Sequence, residues 1–214
     1  MKILIAIQGS HSQPDAMQAQ RETWLQDLYG ADYRFFLGYP EVSDEDVVLV
    51  EHSDGPIWER EAGGRRTLIP NIKTEAIAKH ALENDYDFVF KCDDDTYVQA
   101  ETLLASGFWD HDYVGCMDRH YTQARGFYHW AQGGAGYWLS RRSMAIIATL
   151  GLRNPVLPED FAVGNVLASQ GIVLHHDARY APGVTSYELE HLAQKLITLH
   201  KVSPDWMRRL HRSS

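Results

Sequence analysis

The sequence predicts a single α/β domain over residues 1–214, built around a mainly parallel β-sheet, and three observations lead to this fold class. Short, continuously apolar segments alternate with segments of helical periodicity, which is the rhythm of βαβ units in a Rossmann-like sheet covered on both faces. The chain of 214 residues is long enough to bury one sizeable core. No internal repeat, low-complexity tract or linker divides it.

The predicted strands are short apolar segments rich in β-forming residues. In the first half of the chain they are residues 2–7, 33–38 and 46–50, and a central strand that begins at Phe88. Residues 112–117, 172–174 and 196–201 are predicted as later strands, and Tyr137 and Trp138 are interpreted as aromatic core at a strand.

The predicted helices follow from apolar residues at helical spacing and from capping signals. One opens near Pro14 and buries Trp24, a second spans about residues 70–84, and a short one is expected at 99–106. Ser140 is expected to cap the next helix, which ends near Gly151, and another runs from Pro158 through Ser169. Residues 206–212 close the chain as a basic, aromatic helix or coil.

Composition and charge exclude several classes of partner. A net charge of −9 argues against nonspecific binding to nucleic acid or to an anionic membrane, although a local basic pocket for phosphate remains compatible with it. The amino-terminal apolar run of five residues is too short for a signal peptide, and no segment approaches the length of a membrane span. Two cysteines, Cys92 and Cys116, do not form the framework of a secreted domain, so we expect a cytoplasmic protein.

Three consecutive carboxylates follow the central strand. The apolar run that begins at Phe88 stops against Asp93, Asp94 and Asp95, and the carboxyl end of a strand in an open α/β sheet is where ligands bind. Hard carboxylate oxygens suit Mg²⁺ or Mn²⁺, and a divalent ion carrying a diphosphate would relieve the repulsion among the three acids. The alternative is a solvated acidic turn.

Four basic residues are candidates for binding that diphosphate. Arg21 in the first helix either pairs with a surface carboxylate a turn away or reaches the mouth of the pocket. Arg65 and Arg66 follow Gly63-Gly64 in a long loop that would close over a diphosphate, or they are solvated loop charges. Lys73 lies near the edge of the apolar stripe of its helix.

An aromatic and glycine-rich region is the candidate acceptor site. Tyr128 and Trp130 precede the glycine-dense turn that contains Gly134, and aromatic rings beside glycines suit the stacking of sugars. Glu159 and Asp160 open a helix after Pro158, a position that acidic residues also favour for helix stability alone.

Four ordered blocks resemble one known family. Residues 21–24 (RETW), 90–95 (FKCDDD), 133–140 (GGAGYWLS) and 158–164 (PEDFAVG) are together similar to the inverting β1,3-glycosyltransferases that include Fringe and the β1,3-galactosyltransferases. The resemblance implies a GT-A fold, with a nucleotide-sugar half over about residues 1–98 and an acceptor half over about 99–214. The absence of an anchor and the low cysteine count suggest a compact bacterial or viral relative.

The resemblance also implies roles for individual residues. Asp95 would ligate Mn²⁺ (or Mg²⁺), Asp93 and Asp94 would orient the donor, and Asp160 would be the general base, with Glu159 supporting it or exchanging roles with it. His200 is the expected second metal ligand, and His175 with His176 is the competing pair. His129 and Trp130 stand where the family often has a tyrosine, so the acceptor stays open.

The predicted function is a metal-dependent, inverting transfer of a hexose or N-acetylhexosamine from a UDP-sugar to a glycan hydroxyl, forming a β1,3 linkage. The alternative is a noncatalytic nucleotide-sugar or carbohydrate-binding module on the same fold. A metal-dependent phosphohydrolase or nucleotidyltransferase is disfavoured, because such sites usually gather a second acidic cluster.

Overall fold

The computed structural model describes residues 1–39, 44–53, 59–60, 66–67, 69–117, 130–152, 157–181, 183 and 195–213. In chain order its strands are β1 (Ile3–Gln8), β2 (Asp32–Tyr39), β3 (Val47–Ser53), β4 (Glu59–Arg60), β5 (Arg66–Thr67), β6 (Phe88–Asp93), β7 (Tyr97–Val98), β8 (Tyr113–Gly115), β9 (Tyr137–Ser140), β10 (His175–His176), β11 (Tyr180–Ala181) and β12 (Thr198–Leu199). Its helices are α1 (Pro14–Glu22), α2 (Ile69–Glu83), α3 (Ala100–Leu104), α4 (Arg141–Leu150), α5 (Glu159–Ser169) and α6 (Pro204–Ser213). Two 3₁₀ helices cover Trp24–Asp27 and Phe108–Asp110.

A central sheet organises the described residues. Its strand order is β10-β8-β9-β6-β1-β2-β3, and the pairs of β1 with β2, β1 with β6, β2 with β3, and β8 with β10 are parallel. Strand β9 lies between β6 and β8 and runs antiparallel to both. The predicted mainly parallel α/β sheet is therefore confirmed.

The described residues form two smaller sheets in addition to the central one. Strand β12 pairs in parallel with β11 and antiparallel with β7, which directly follows the acidic triplet. Strands β4 and β5 form an antiparallel pair. The small sheet of β11, β12 and β7 matters most for the site, because it brings the chain after β12 back to the end of β6.

Both faces of the central sheet are buried. Along β1, Ile3, Ile5 and Ile7 belong to one apolar core and Leu4 and Ala6 to another, as the alternation of side chains along a strand requires. Residues from α1, α3 and α6 complete the first core, and residues from α2, α4 and α5 complete the second. The run of six buried residues in β1 is what a parallel strand covered on both faces needs.

Most predicted elements lie within a few residues of their predicted positions, and one strand was misplaced. The strand expected at residues 172–174 is found at His175–His176, although Ile172 and Leu174 are buried in the core. The interpretation of Tyr137 and Trp138 as core is confirmed, because both are fully buried in β9. Among the described residues, no helix has the length and apolar character needed to cross a bilayer.

Candidate active site

The acidic triplet lies on the wall of a cleft of about 820 Å³ at the carboxyl ends of β1 and β6. Asp93 is the last residue of β6, and Asp94 and Asp95 form the turn that leads to β7. The backbone N–H of Asp94 donates to the carbonyl of Gln8 at 3.2 Å, which fixes the turn against the end of β1. The sequence places three acids together, and the sheet presents them to a cavity.

His200 is brought to the triplet by the small sheet. Leu199 pairs with Tyr97, and the N–H of Val202 donates to the carbonyl of Asp95 at 2.9 Å. The imidazole Nε2 of His200 lies 3.1 Å from Asp95 Oδ1 and 3.8 Å from Asp93 Oδ2. One ligand atom each from Asp93, Asp95 and His200 lies within 4.8 Å of the others.

These three side chains fit a divalent metal ion. Two carboxylate oxygens and one imidazole nitrogen are a donor set that Mn²⁺ and Mg²⁺ accept, with water or phosphate oxygens completing the coordination. Asp95 Oδ1 is buried and accepts no hydrogen bond within the part of the chain that the structure describes, although the imidazole Nε2 of His200 lies 3.1 Å away. A buried carboxylate oxygen that accepts no hydrogen bond is unfavourable, and a cation bound beside the imidazole would satisfy it.

Asp94 has a different environment from its two neighbours. Its Oδ2 accepts a hydrogen bond from the backbone N–H of Ser10 at 2.9 Å, and it is not part of the triad that surrounds the candidate metal position. Burial, with the repulsion of Asp93 in second place, raises its pKa to about 7. A cation in the cleft would favour its ionised form.

Two lysines line the same cleft. Lys73 is buried on α2, and its Nζ donates to the carbonyl of Gly9 at 2.7 Å. Lys201 is exposed and adopts φ = 64°, a left-handed conformation that is uncommon for a residue with a side chain. Since Lys201 directly follows His200, the backbone that positions the candidate metal ligand also places an ammonium group at the rim of the cleft.

Glu159 is a buried junction at the start of α5. Its Oε1 accepts hydrogen bonds from Thr74 Oγ1 at 2.7 Å and from the hydroxyl of Tyr137. Its Oε2 lies 3.5 Å from Lys91 Nζ. Both carboxylate oxygens of Glu159 thus have protein partners, and the residue is 8% exposed. These contacts fix the first residue of α5 in place and leave little room for Glu159 to accept a proton from a substrate.

Asp160 is the more accessible of the two acids. Its Oδ1 accepts from the N–H of Phe161 at 2.8 Å, and its Oδ2 accepts a long bond of 3.4 Å from the N–H of Gly133. Burial, followed by the charge of Glu159, raises its pKa to about 6. Such a carboxylate is ionised at neutral pH and is a stronger base than an ordinary aspartate.

Lys91 lies between the triplet and the acids of α5. Its Nζ donates to Asp93 Oδ1 at 2.8 Å and to the carbonyl of Gly133 at 3.3 Å, and it faces Glu159 Oε2 at 3.5 Å. Burial alone would lower the pKa of Lys91, but the carboxylates of Asp93 and Glu159 outweigh that effect and raise it. The lysine is therefore a buried cation with two carboxylate partners.

Several candidates from the sequence lie elsewhere. Arg21 forms a bidentate ion pair with Asp46, with 2.8 Å contacts from Nε and Nη2, so it pairs with a carboxylate as one alternative expected, but with one 25 residues away and not one helical turn away. His176 Nδ1 is bonded to the N–H of Met117, and His175 stacks on His111 with ring centroids 3.6 Å apart. These two histidines are not part of the triad around Asp93 and Asp95, whereas His200 is.

The aromatic and arginine candidates have mixed outcomes. Trp130 is 2% exposed and packs edge-on against Phe161 with centroids 4.4 Å apart, so its ring presents almost no surface to a stacking sugar. Tyr128 and Arg65 lie outside the described residues, and Arg66 is described only as part of the backbone of β5. Gly134 lies against His200, since a Cβ there would come within 2.0 Å of the imidazole Cε1.

Sequence reasoning missed the site roles of four residues: Lys91, Thr74, Tyr137 and Lys201. A lysine inside an otherwise apolar strand was the one available signal for Lys91, because a buried ammonium group needs a carboxylate partner. Lys201 could have been suspected from its place beside His200. The contacts of Thr74 and Tyr137 with Glu159 could not be predicted, because their hydroxyls reach it from 85 and 22 residues away.

No family model matches the sequence. The fold, in contrast, is shared with solved glycosyltransferases. A glycosyltransferase involved in the glycosylation of the major capsid of PBCV-1 aligns over 100% of both chains, with a TM-score of 0.59 and 10% sequence identity. The galactosyltransferase LgtC, solved with donor and acceptor sugar analogs, aligns with 100% of this chain and 95% of its own at a TM-score of 0.52 and 13% identity. The apo form of GlyE from Streptococcus pneumoniae TIGR4 aligns with a TM-score of 0.53 and 10% identity. This alignment includes 96% of the present chain and 56% of the GlyE chain.

The chain therefore has a glycosyltransferase fold of the GT-A type, as the resemblance implied. At these identities the likeness concerns the fold. The β1,3 specificity implied by the Fringe-like blocks stays a prediction, and the candidate metal triad comes from the geometry of this chain.

Proposed function

We propose that this chain is a metal-dependent glycosyltransferase that moves a hexose or N-acetylhexosamine from a UDP-sugar to a hydroxyl of a glycan, with inversion and a β1,3 linkage. The observation that carries the proposal is the meeting of Asp93, Asp95 and His200 beside a cleft that Lys73 and Lys201 also line, on a fold shared with glycosyltransferases. Asp160 is bonded to the N–H of Gly133 and is not one of the three candidate metal ligands.

The residues proposed to bind the donor lie at or beside the cleft. Asp93, Asp95 and His200 would hold the Mn²⁺ or Mg²⁺ ion, which supplies positive charge to the departing diphosphate. Lys73 and Lys201 line the same cleft and would bind phosphate oxygens of the donor. Asp94, bonded to Ser10 beside the triad, would contact the ribose or the sugar of the donor.

Asp160 is proposed as the base that activates the acceptor hydroxyl. An acceptor hydroxyl is a weak nucleophile, so a carboxylate must take its proton as it attacks. Asp160 is ionised at neutral pH, and within the described residues its Oδ2 accepts one long bond, so this oxygen is suited to the role. A single base that acts opposite the leaving group gives direct displacement and inversion.

The acceptor is proposed to be a glycan or glycoconjugate. Two neighbours support this class: LgtC is described with donor and acceptor sugar analogs, and the PBCV-1 enzyme with glycosylation of a capsid. The cytoplasmic location expected from the cysteine content stays a prediction, and cell fractionation would check it.

The test compares two variants in a UDP-release assay with Mn²⁺, a panel of UDP-sugars and small glycan acceptors. Asp95→Asn should abolish the Mn²⁺-dependent rise in melting temperature produced by the donor, because a ligand that binds only the folded state stabilises it. Asp160→Asn should retain that rise but lower kcat by about 10²–10⁴-fold, the usual contribution of a general base. Wild-type transfer by Asp160→Asn would refute the assignment of the base. Donor binding without transfer by the wild-type protein, on every acceptor tried, would favour a noncatalytic module.

A further inference from the structure

Lys91 contacts both a candidate metal ligand, Asp93, and an acid of α5, Glu159. Its Nζ donates to Asp93 Oδ1 at 2.8 Å and faces Glu159 Oε2 at 3.5 Å. It also donates to the carbonyl of Gly133 at 3.3 Å, and the N–H of Gly133 is bonded to Asp160. We propose that Lys91 is a positioning residue that couples the metal-binding half of the site to the half that carries the base.

The first part of the coupling concerns Asp93. A carboxylate at the end of a strand rotates freely unless one oxygen is held, and Lys91 holds Oδ1. The other oxygen, Oδ2, is then left on the side of His200, from which it is 3.8 Å away. Residues that orient a metal ligand without touching the metal typically affect metal affinity by about 10–100-fold.

The second part concerns the start of α5. Glu159 is the first residue of the helix, and it is fixed by Thr74, Tyr137 and Lys91, which belong to α2, β9 and β6. Asp160 is the next residue, so its position depends on how firmly Glu159 is held. Lys91 supplies the only positive charge among these three contacts, and without it Glu159 would be a buried anion with neutral partners.

The contacts also explain why a lysine is tolerated inside the sheet. Lys91 is 2% exposed, and an unpaired ammonium group at that depth would be strongly unfavourable. It lies close to the face of the ring of Tyr137, with Nζ 5.7 Å from the centroid, in addition to its two carboxylate neighbours. Methionine has nearly the same length and no charge, which makes Lys91→Met the matched substitution.

This inference rests on the proposed function, because it assigns Lys91 a role in the same metal and base sites. The experiment measures Mn²⁺ affinity of the donor-free protein by electron paramagnetic resonance of free Mn²⁺, and the pH profile of sugar transfer. The variants are Lys91→Met, Asp95→Asn as a reference for loss of the metal site, and Lys79→Met as a control on the exposed side of α2.

We expect Lys91→Met to weaken Mn²⁺ binding by about tenfold or more, in line with other groups that orient metal ligands. The acidic limb of its pH profile should also move to higher pH, because a cation that favours the ionised form of Asp160 has been removed. A purely structural role would lower the melting temperature without moving the pH limb. Lys79→Met should leave both measurements unchanged.

Removing Lys91 leaves Glu159 unpaired, and the single variant can fail to fold for that reason. The double variant Lys91→Met/Glu159→Gln removes both charges and keeps the shape of both side chains, so it should fold and still show the weakened Mn²⁺ affinity. Wild-type or tighter Mn²⁺ affinity in the folded variants, or an unmoved pH limb in Lys91→Met, would overturn the proposal. If Asp95→Asn also binds Mn²⁺ normally, the metal site itself is wrong, and the failure belongs to the proposed function.

Discussion

At Gly134, the lack of a side chain leaves room for the candidate metal ligand His200. The backbone at Gly134 lies so close to His200 that a Cβ would come within 2.0 Å of Cε1 and 2.2 Å of Nε2, far inside any contact distance. The backbone of His200 cannot readily retreat, because its N–H is bonded to the carbonyl of Ala181 at 3.1 Å. The imidazole reaches Asp95 because glycine leaves the space free.

Gly134→Ala should therefore displace the imidazole and weaken Mn²⁺ binding by about tenfold or more, as expected when a metal ligand loses its position. Titration of the protein with Mn²⁺, followed by electron paramagnetic resonance, measures this. Gly183→Ala is the matched control, since a Cβ there meets no atom within 4 Å. A folded Gly134→Ala variant with unchanged affinity would mean that His200 is not a ligand.

Asp160 gives the expected pH dependence of transfer. Its pKa is raised to about 6, chiefly by burial, and the form that accepts a proton is the carboxylate. Activity should thus be present above about pH 6 and fall about tenfold per pH unit below it, where Asp160 becomes protonated. The measurement is kcat/KM against pH at saturating Mn²⁺. A profile that stays flat down to pH 5 would contradict Asp160 as the base.

Single residues also mark the limit of what the sequence predicts about the site. The triplet was recognisable because its three acids are adjacent in the sequence and end an apolar strand. Lys91 was missed because its role depends on Gly133 and Glu159, which are 42 and 68 residues away. Contacts at that separation are set by the stacking of strands and helices, and one sequence carries no record of them.

At the scale of elements, length decided which predictions succeeded. Long segments such as α2 and β1 have enough residues for a periodic pattern, and the structure places them within one residue of prediction. Strands β7, β11 and β12 have two residues each, too few to show alternation. These short strands bring His200 to Asp95, so the part of the fold that completes the site is the part least visible in the sequence.

Helix α4 illustrates a capping signal that the sequence shows clearly. Ser140 Oγ accepts the N–H of Ser143 at 3.3 Å and donates to Asp112 Oδ1 at 2.5 Å, so one hydroxyl caps the helix and ties it to the loop before β8. The predicted cap at Ser140 and the predicted end at Gly151 are both confirmed.

Ser140→Ala should lower the free energy of unfolding by about 1–2 kcal/mol, the upper part of the range for loss of a helix cap, because the bond to Asp112 is lost as well. Urea unfolding monitored by circular dichroism measures this. Ser169→Ala, at the exposed end of α5, is the control and should change stability by about 0.5 kcal/mol or less. Equal effects of the two substitutions would show that the cap contributes little.

At the scale of the whole molecule, the candidate site draws on residues from both halves of the chain. Asp93 and Asp95 precede residue 98 and His200 follows it, and they meet because β12 pairs with β7 in the small sheet. Asp160 also follows residue 98, and it is linked to Asp93 through Gly133 and through Lys91 of β6. The division into a nucleotide-sugar half and an acceptor half stays a prediction.

Helix α6 links the stability of the whole molecule to this cleft. Met207 and Leu210 are buried in the same core as β1 and Trp24, and Ser203 and Pro204 at the start of the helix line the cleft. The N–H of Val202 donates to the carbonyl of Asp95, and Val202 lies between His200 and the start of α6. The packing of α6 against the core therefore also helps to fix the segment that carries His200.

Met207→Ala should lower the free energy of unfolding by about 2–5 kcal/mol, the range for removing a large side chain from a core. Mn²⁺ binding should weaken in the same variant, since the segment from His200 to Pro204 loses its anchor. Urea unfolding and Mn²⁺ titration measure the two effects, with Arg212→Ala on the exposed side of α6 as the control. If Met207→Ala were destabilised but bound Mn²⁺ as the wild type does, α6 would support the core alone, and the position of His200 would be set entirely by its pairing with β7 and β11.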